Sequence, residues 1–102
     1  MAKLSFRQVE AFRAVMIAGT TTGAAEILYI SQPAVSRLLS DIEESVQVPL
    51  FARHKQRLLT THEALLLFEE IERSFVGIEK LTRTVEDVRA GHRGSLRVAG
   101  WR

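Results

Sequence analysis

Between Thr61 and Ala90 the chain contains no proline and one glycine, Gly77. Across that stretch Ala64, Phe68, Ile71, Phe75, Ile78, Thr82 and Val85 succeed one another at gaps of four and three in strict alternation, with Leu67, Leu81 and Val88 as a flanking stripe. Such a repeat keeps one seam of a helix turned toward a partner. Thr60-x-x-Glu63 reads as a capping box at its start and Gly91 as its C-cap, which predicts a single helix of about 30 residues, roughly 45 Å long. Glu69 with Arg73 and Glu79 with Arg83 stand at i and i+4, acid first, and support that helix locally. The preceding core of about 60 residues is too small to bury the whole seam, so a second copy of the helix is the economical cover. Phe68, Ile71, Phe75, Ile78, Leu81 and Val85 are the expected dimerisation residues.

The rest of the composition narrows the class. A chain of 102 residues with 46% apolar and 25% charged side chains fills one small core, which excludes disorder and collagen. With no cysteine there is no disulfide framework, thiol nucleophile or cysteine zinc site. Its apolar runs are far short of the roughly 20 residues that cross a bilayer, and the first dozen residues carry charges rather than a signal-peptide core. A cytoplasmic protein with no membrane partner is expected. The net charge is only +2, but Arg53, His54, Lys55 and Arg57 form a basic knot without an acid, whereas Glu63 to Glu79 carries five acids.

Ser5-x-x-Gln8 is a capping box, with Leu4 and Val9 spaced as a hydrophobic staple, and Phe6, Val9, Phe12, Val15 and Met16 recur at helical spacing up to Gly19. Thr20, Thr21 and Thr22 offer alternative N-caps for a short second helix, Gly23 to about Leu28, in which Ala24 and Ala25 permit close approach of a neighbour. Ser31 caps a third helix running to about Ser45, with Pro33 in the first turn, where its missing N–H costs nothing. Val35, Leu38, Leu39 and Ile42 share one side of it; Gln32, Pro33, Ser36, Arg37 and Ser40 share another. Pro49 blocks further helix, and Leu50 to Thr60 reads as two short strands around a basic turn, a wing. The last stretch, Gly94 to Gly100, alternates like a strand that has no partner within the chain. The expected organisation is residues 1–60 as a mainly α, winged helix-turn-helix domain, 61–90 as a linker helix, and 91–102 as a hinge with the first strand of an absent domain.

Helix, short turn and helix, with alanines in the first and a polar outer face on the second, is the arrangement whose second helix enters the major groove. The side chains suit that task. Gln32 can pair with an adenine edge, Arg37 with guanine O6 and N7 or with phosphate, and Pro33 can touch a thymine methyl, while Ser36 can reach a base or a phosphate. Thr22 and Ser31 lie near helix N-termini, where amide protons favour anions, and would grip phosphate. The wing basics Arg53, His54, Lys55 and Arg57 would lie at the minor groove or backbone. A solvated turn and a plain helical bundle account for the same residues taken singly.

The residues also carry a family resemblance. Leu4-x-Phe6-x-x-Val9-x-x-Phe12, Ala24-Ala25-x-x-Leu28, Ser31-Gln32-Pro33-Ala34-Val35-Ser36-Arg37, Pro49-Leu50-Phe51-x-Arg53 and Leu59-Thr60 together resemble the N-terminal part of LysR-type transcriptional regulators. Arg7-Gln8-Val9-Glu10-Ala11-Phe12-Arg13-Ala14-Val15-Met16 and Phe75-Val76-Gly77 are similar to the octopine and nopaline catabolism regulators of that family. The resemblance implies a winged helix-turn-helix, a linker helix that pairs antiparallel across a dimer, and double-stranded DNA as partner. It further implies an absent effector domain of periplasmic-binding-protein type, which alone would take a small-molecule inducer; for the full-length protein a dimer and a tetramer both stay open. It carries base contacts to Gln32, Pro33, Ser36 and Arg37, and wing contacts to Arg53 and its neighbours. Two positions depart from the family pattern: Gln47 and Glu63 stand where glycine is usual.

Enzyme readings have no support in the residues. His54, His62 and His92 are dispersed without metal-ligand spacing, and there is no phosphate loop or nucleophile with a base beside it. No cofactor is expected. The rival reading is a helical dimerisation or adaptor module whose basic turn is incidental, since it would show the same seam.

Overall fold

A hydroxyl side chain starts each helix of the computed structural model, which describes residues 3–54 and 57–95, the backbone alone at 57, 94 and 95. The order is α1 (Phe6–Ala18), α2 (Thr21–Leu28), α3 (Gln32–Val46), β1 (Phe51–His54), β2 (Arg57–Thr60) and α4 (His62–Ser95). In α1 the expected capping box forms: Ser5 Oγ accepts from the Gln8 amide at 3.1 Å, and Gln8 Oε1 accepts from the Ser5 amide at 3.3 Å. Gly19 closes α1 in the left-handed region at φ 82°, its N–H donating to Val15 O at 2.7 Å.

Three helix ends differ from the sequence expectation. Thr20 caps α2, its Oγ1 accepting from the Gly23 amide at 2.9 Å, so the helix begins two residues early and Thr22 lies inside its first turn. Thr61 rather than Thr60 caps α4, accepting from the Ala64 amide at 3.1 Å. The reason lies outside the helix: Thr60 is paired with Phe51 in the wing, and the Thr60–Glu63 capping box does not form. The Thr61 hydroxyl also lies 2.8 Å from Pro49 O and 3.2 Å from Leu50 O, so one residue ties the helix start to the entry of β1. Finally, Gly91 does not end α4, which runs on through Gly94 to Ser95. A helical glycine costs only about 1 kcal/mol, and basic His92 and Arg93 in the last turn complement the helix dipole. The strand expected over 94–100 is therefore helical at Gly94 and Ser95, and its remainder lies outside the described residues.

The chain divides into two units, Met1–Ile71 and Glu72–Arg102. In the first, α1, α2 and α3 pack on one another around Phe12, Val15, Ala24, Val35, Leu39 and Ile42, with Leu50, Ala64 and Ile71 also buried. Phe12 meets Phe51 at the start of the wing, ring centroids 5.7 Å apart. Burying such side chains contributes about 1.5–3 kcal/mol each. Phe6, expected on the apolar face, is 58% exposed at the first position of α1. The wing is a two-stranded antiparallel ladder with Arg53 opposite Leu58 and His54 opposite Arg57.

A pair of strands this short is not stable by itself. Its anchor is Glu43, near the end of α3, whose Oε2 accepts from the Leu50 amide at 2.7 Å and the Phe51 amide at 3.0 Å. Gln47, in the glycine position of the family, makes the left-handed turn all the same at φ 64° and ψ 25°. Its N–H donates to Glu43 O at 2.9 Å and its side-chain Nε2 to Glu44 O at 2.8 Å.

In the second unit the distal part of α4 leaves Val76, Ile78, Leu81, Val85 and Val88 exposed. Thr82 turns its hydroxyl onto Ile78 O at 3.1 Å, which satisfies its one polar group within the helix.

Candidate nucleic-acid interface

The turn between α2 and α3 is three residues long. Tyr29 takes the left-handed conformation at φ 58°, and the Tyr29 and Ile30 amides both donate to Ala25 O, so α2 closes at once and the chain is free to start α3 on Ser31. Ser31 Oγ accepts from the Ala34 amide at 3.2 Å. Val35, Leu39 and Ile42 anchor α3 from below, buried to 0%, 7% and 0% exposure. That burial sets the rotation of the helix, and Gln32, Pro33, Arg37 and Ser40 are consequently exposed, with Ser36 half-buried between them.

Two shallow grooves flank this face. One is lined by Arg7 of α1, Ile30, Ser31, Pro33, Ala34, Arg37 and Leu38. The other lies between α3 and the wing, lined by Ser36, Leu39, Ser40, Glu43, Phe51, Arg53 and Leu58. The structure thus brings Ser31, Pro33 and Arg37 around one groove and Ser36 and Arg53 around the next. Arg7 and Arg37 both line the first, and arginine is a residue type suited to phosphate or guanine.

Of the wing residues, Arg53 and His54 are exposed on β1, and the backbone of Arg57 pairs in β2. Lys55 lies outside the described residues. Thr22 is exposed in the first turn of α2. Of the seam residues, Ile71 is only 6% exposed within the chain's own first unit, and Phe68 and Phe75 are half-buried; Ile78, Leu81 and Val85 are 44%, 61% and 47% exposed.

Sequence reasoning missed two residues beside this face. Arg7 is unremarkable in a helix start and joins the site only through packing of α1 beside α3. Thr21 accepts a hydrogen bond from Gln32 Nε2 at 3.0 Å, a contact eleven residues apart that no local pattern signals. The same Nε2 donates to Ser36 Oγ at 3.2 Å. Among the described residues no three His, Asp or Glu side chains gather as metal ligands, and no helix is long and apolar enough to cross a membrane.

The regulatory protein NocR of Agrobacterium fabrum (strain C58 / ATCC 33970) is 48% identical over 93 residues, covering 91% of this chain and 31% of NocR. The octopine catabolism/uptake operon regulatory protein OccR of Rhizobium meliloti is 43% identical over 96 residues, covering 94% of this chain and 32% of OccR. The chain therefore spans about a third of the length of these curated relatives, both regulatory proteins. Among solved structures, the BenM DBD in complex with catB site 1 DNA superposes with a TM-score of 0.79 at 25% identity, over 87% of this chain and 96% of that one. The CbnR DBD in complex with DNA gives 0.70 at 29% identity, over 87% and 99%. Residues 6–65 match the bacterial regulatory helix-turn-helix proteins of the lysR family, a span that takes in all three packed helices and the wing, and the chain belongs to that family.

Proposed function

We propose that this chain binds double-stranded DNA as the recognition part of a bacterial transcriptional regulator, with α3 in the major groove and the wing against the flanking backbone or minor groove. The observation that carries the reading is the exposed polar face of α3: Gln32, Pro33 and Arg37 point away from a core that Val35, Leu39 and Ile42 fill behind them. Base readout falls to Gln32, Pro33, Ser36 and Arg37. Thr22, Ser31, Arg53, His54, Lys55 and Arg57 hold phosphate or the minor groove, and Arg7 joins them from α1.

Two copies pair through the distal seam of α4, Phe75, Ile78, Leu81 and Val85, with Phe68 at its near end. A seam with three residues 44% to 61% exposed has apolar surface to bury in such a pair. Two recognition helices on one side of a duplex read half-sites about one helical turn, roughly 10 bp, apart. DNA as the partner makes the nucleoid, and so the cytoplasm, the site of action.

Titration of the chain with duplex DNA at two salt concentrations tests this reading. Saturable binding whose affinity falls steeply with salt is expected, because phosphate contacts release counterions. An adaptor module would give no saturable binding at either concentration.

A further inference from the structure

Gln32 is oriented before any DNA arrives. Its side-chain nitrogen carries two hydrogens, and both have partners within the chain: Thr21 Oγ1 at 3.0 Å and Ser36 Oγ at 3.2 Å. Thr21 is half-buried at the first position of α2, beside the cap Thr20, so its hydroxyl is carried by a helix packed against α1 and α3. With the Nε2 donors engaged, what Gln32 has left to offer a base is its acceptor, Oε1.

We propose that Thr21 is a positioning residue for base readout: by holding Gln32 Nε2 it makes Gln32 an acceptor-only reader, which selects bases bearing a major-groove amino group. This rests on the proposed insertion of α3 into the major groove. A free glutamine pairs bidentately with adenine, accepting from N6 and donating to N7. An acceptor-only glutamine takes either adenine N6–H or cytosine N4–H, and it opposes the acceptors of guanine and thymine. The Gln32 position should therefore admit adenine and cytosine alike and reject guanine and thymine. Releasing Thr21 returns one N–H to Gln32 and sharpens the choice to adenine.

The test is selection by the whole 102-residue chain from randomised duplexes, with Gln32→Ala identifying the position whose preference depends on Gln32. For the unaltered chain, adenine and cytosine should bind within about threefold of each other and about fivefold or more above guanine and thymine, the worth of one hydrogen bond. Replacing adenine by 7-deazaadenine, which lacks N7, should leave its affinity unchanged. Thr21→Val should favour adenine over cytosine by about fivefold, a gain that 7-deazaadenine abolishes, and Thr21→Ser should restore the original pattern. A merely structural Thr21 would change affinity evenly across bases. The proposal is overturned if the unaltered chain selects adenine alone and loses affinity with 7-deazaadenine, a result that needs no variant to fold. It is equally overturned if Thr21→Val keeps the original pattern, or if no position depends on Gln32. Absence of saturable binding to any duplex would instead remove the DNA reading on which it rests.

Discussion

Replacing Glu43 by alanine should unfasten the wing from the recognition helix. Its Oε2 accepts from two backbone amides, Leu50 at 2.7 Å and Phe51 at 3.0 Å, in a half-buried site. Hydrogen bonds to a charged group are worth about 1.5–3 kcal/mol each, and partial exposure to water argues for the lower end, so the pair contributes about 3 kcal/mol. Freeing a glutamate side chain returns about 1 kcal/mol of rotamer entropy. The net expectation is a loss of about 2 kcal/mol for Glu43→Ala, equivalent to a fall of roughly 8–16 °C in Tm for a domain of this size. Glu43→Gln keeps an acceptor oxygen and loses its charge, so it should cost about half as much. Urea unfolding at fixed protein concentration measures both variants without a shift in any dimer equilibrium entering the comparison. If Glu43→Ala lies within about 0.5 kcal/mol of the unaltered chain, like an ordinary surface change, the two amides are satisfied by water and the clamp does not hold.

Gly23→Ala should destabilise even though alanine is the better helix former by about 1 kcal/mol. The added Cβ would meet Ala18 Cβ at 2.9 Å and Thr20 Oγ1, the cap oxygen of α2, at 3.0 Å, and overpacking of about 2 kcal/mol leaves a net loss of about 1 kcal/mol by thermal melting; a rise in Tm would mean that α1 and α2 part without cost. Arg53→Ala should weaken DNA binding and lower the salt slope by about one unit, whereas an unchanged slope would take the wing off the backbone. Leu81→Glu puts a charge in the distal seam at a side chain already 61% exposed, so the monomer should fold as before and sediment as a single copy. A sedimenting dimer would show that the seam does not join the copies.

What was legible in the sequence follows the range of the interactions that decide it. The Ser5 and Ser31 caps, Gly19 at the end of α1 and the two strands of the wing are set by neighbours within a few residues, and each lies where local pattern put it. Three consecutive threonines offered no local ground for preferring Thr20, which is the one that caps α2. The choice of Thr61 over Thr60 depends on a strand partner nine residues back, which a capping pattern does not contain. Gly91 shows the converse: a residue permitted to leave the helix is not obliged to. In the candidate site, the outward face of α3 was readable because helical periodicity separates Gln32, Pro33 and Arg37 from the buried side. Arg7 and Thr21 were not, since only the packing of α1 and α2 beside α3 brings them there.

The most direct measurement is the affinity of Arg37→Ala beside the unaltered chain, on a duplex enriched by selection and on a scrambled one, at the same salt. Contact between α3 and base edges predicts a loss of about 1–3 kcal/mol on the enriched duplex and a smaller loss on the scrambled one, so that sequence preference flattens. Equal losses on both would make Arg37 a phosphate contact, and no loss on either would contradict the placement of α3 in the groove.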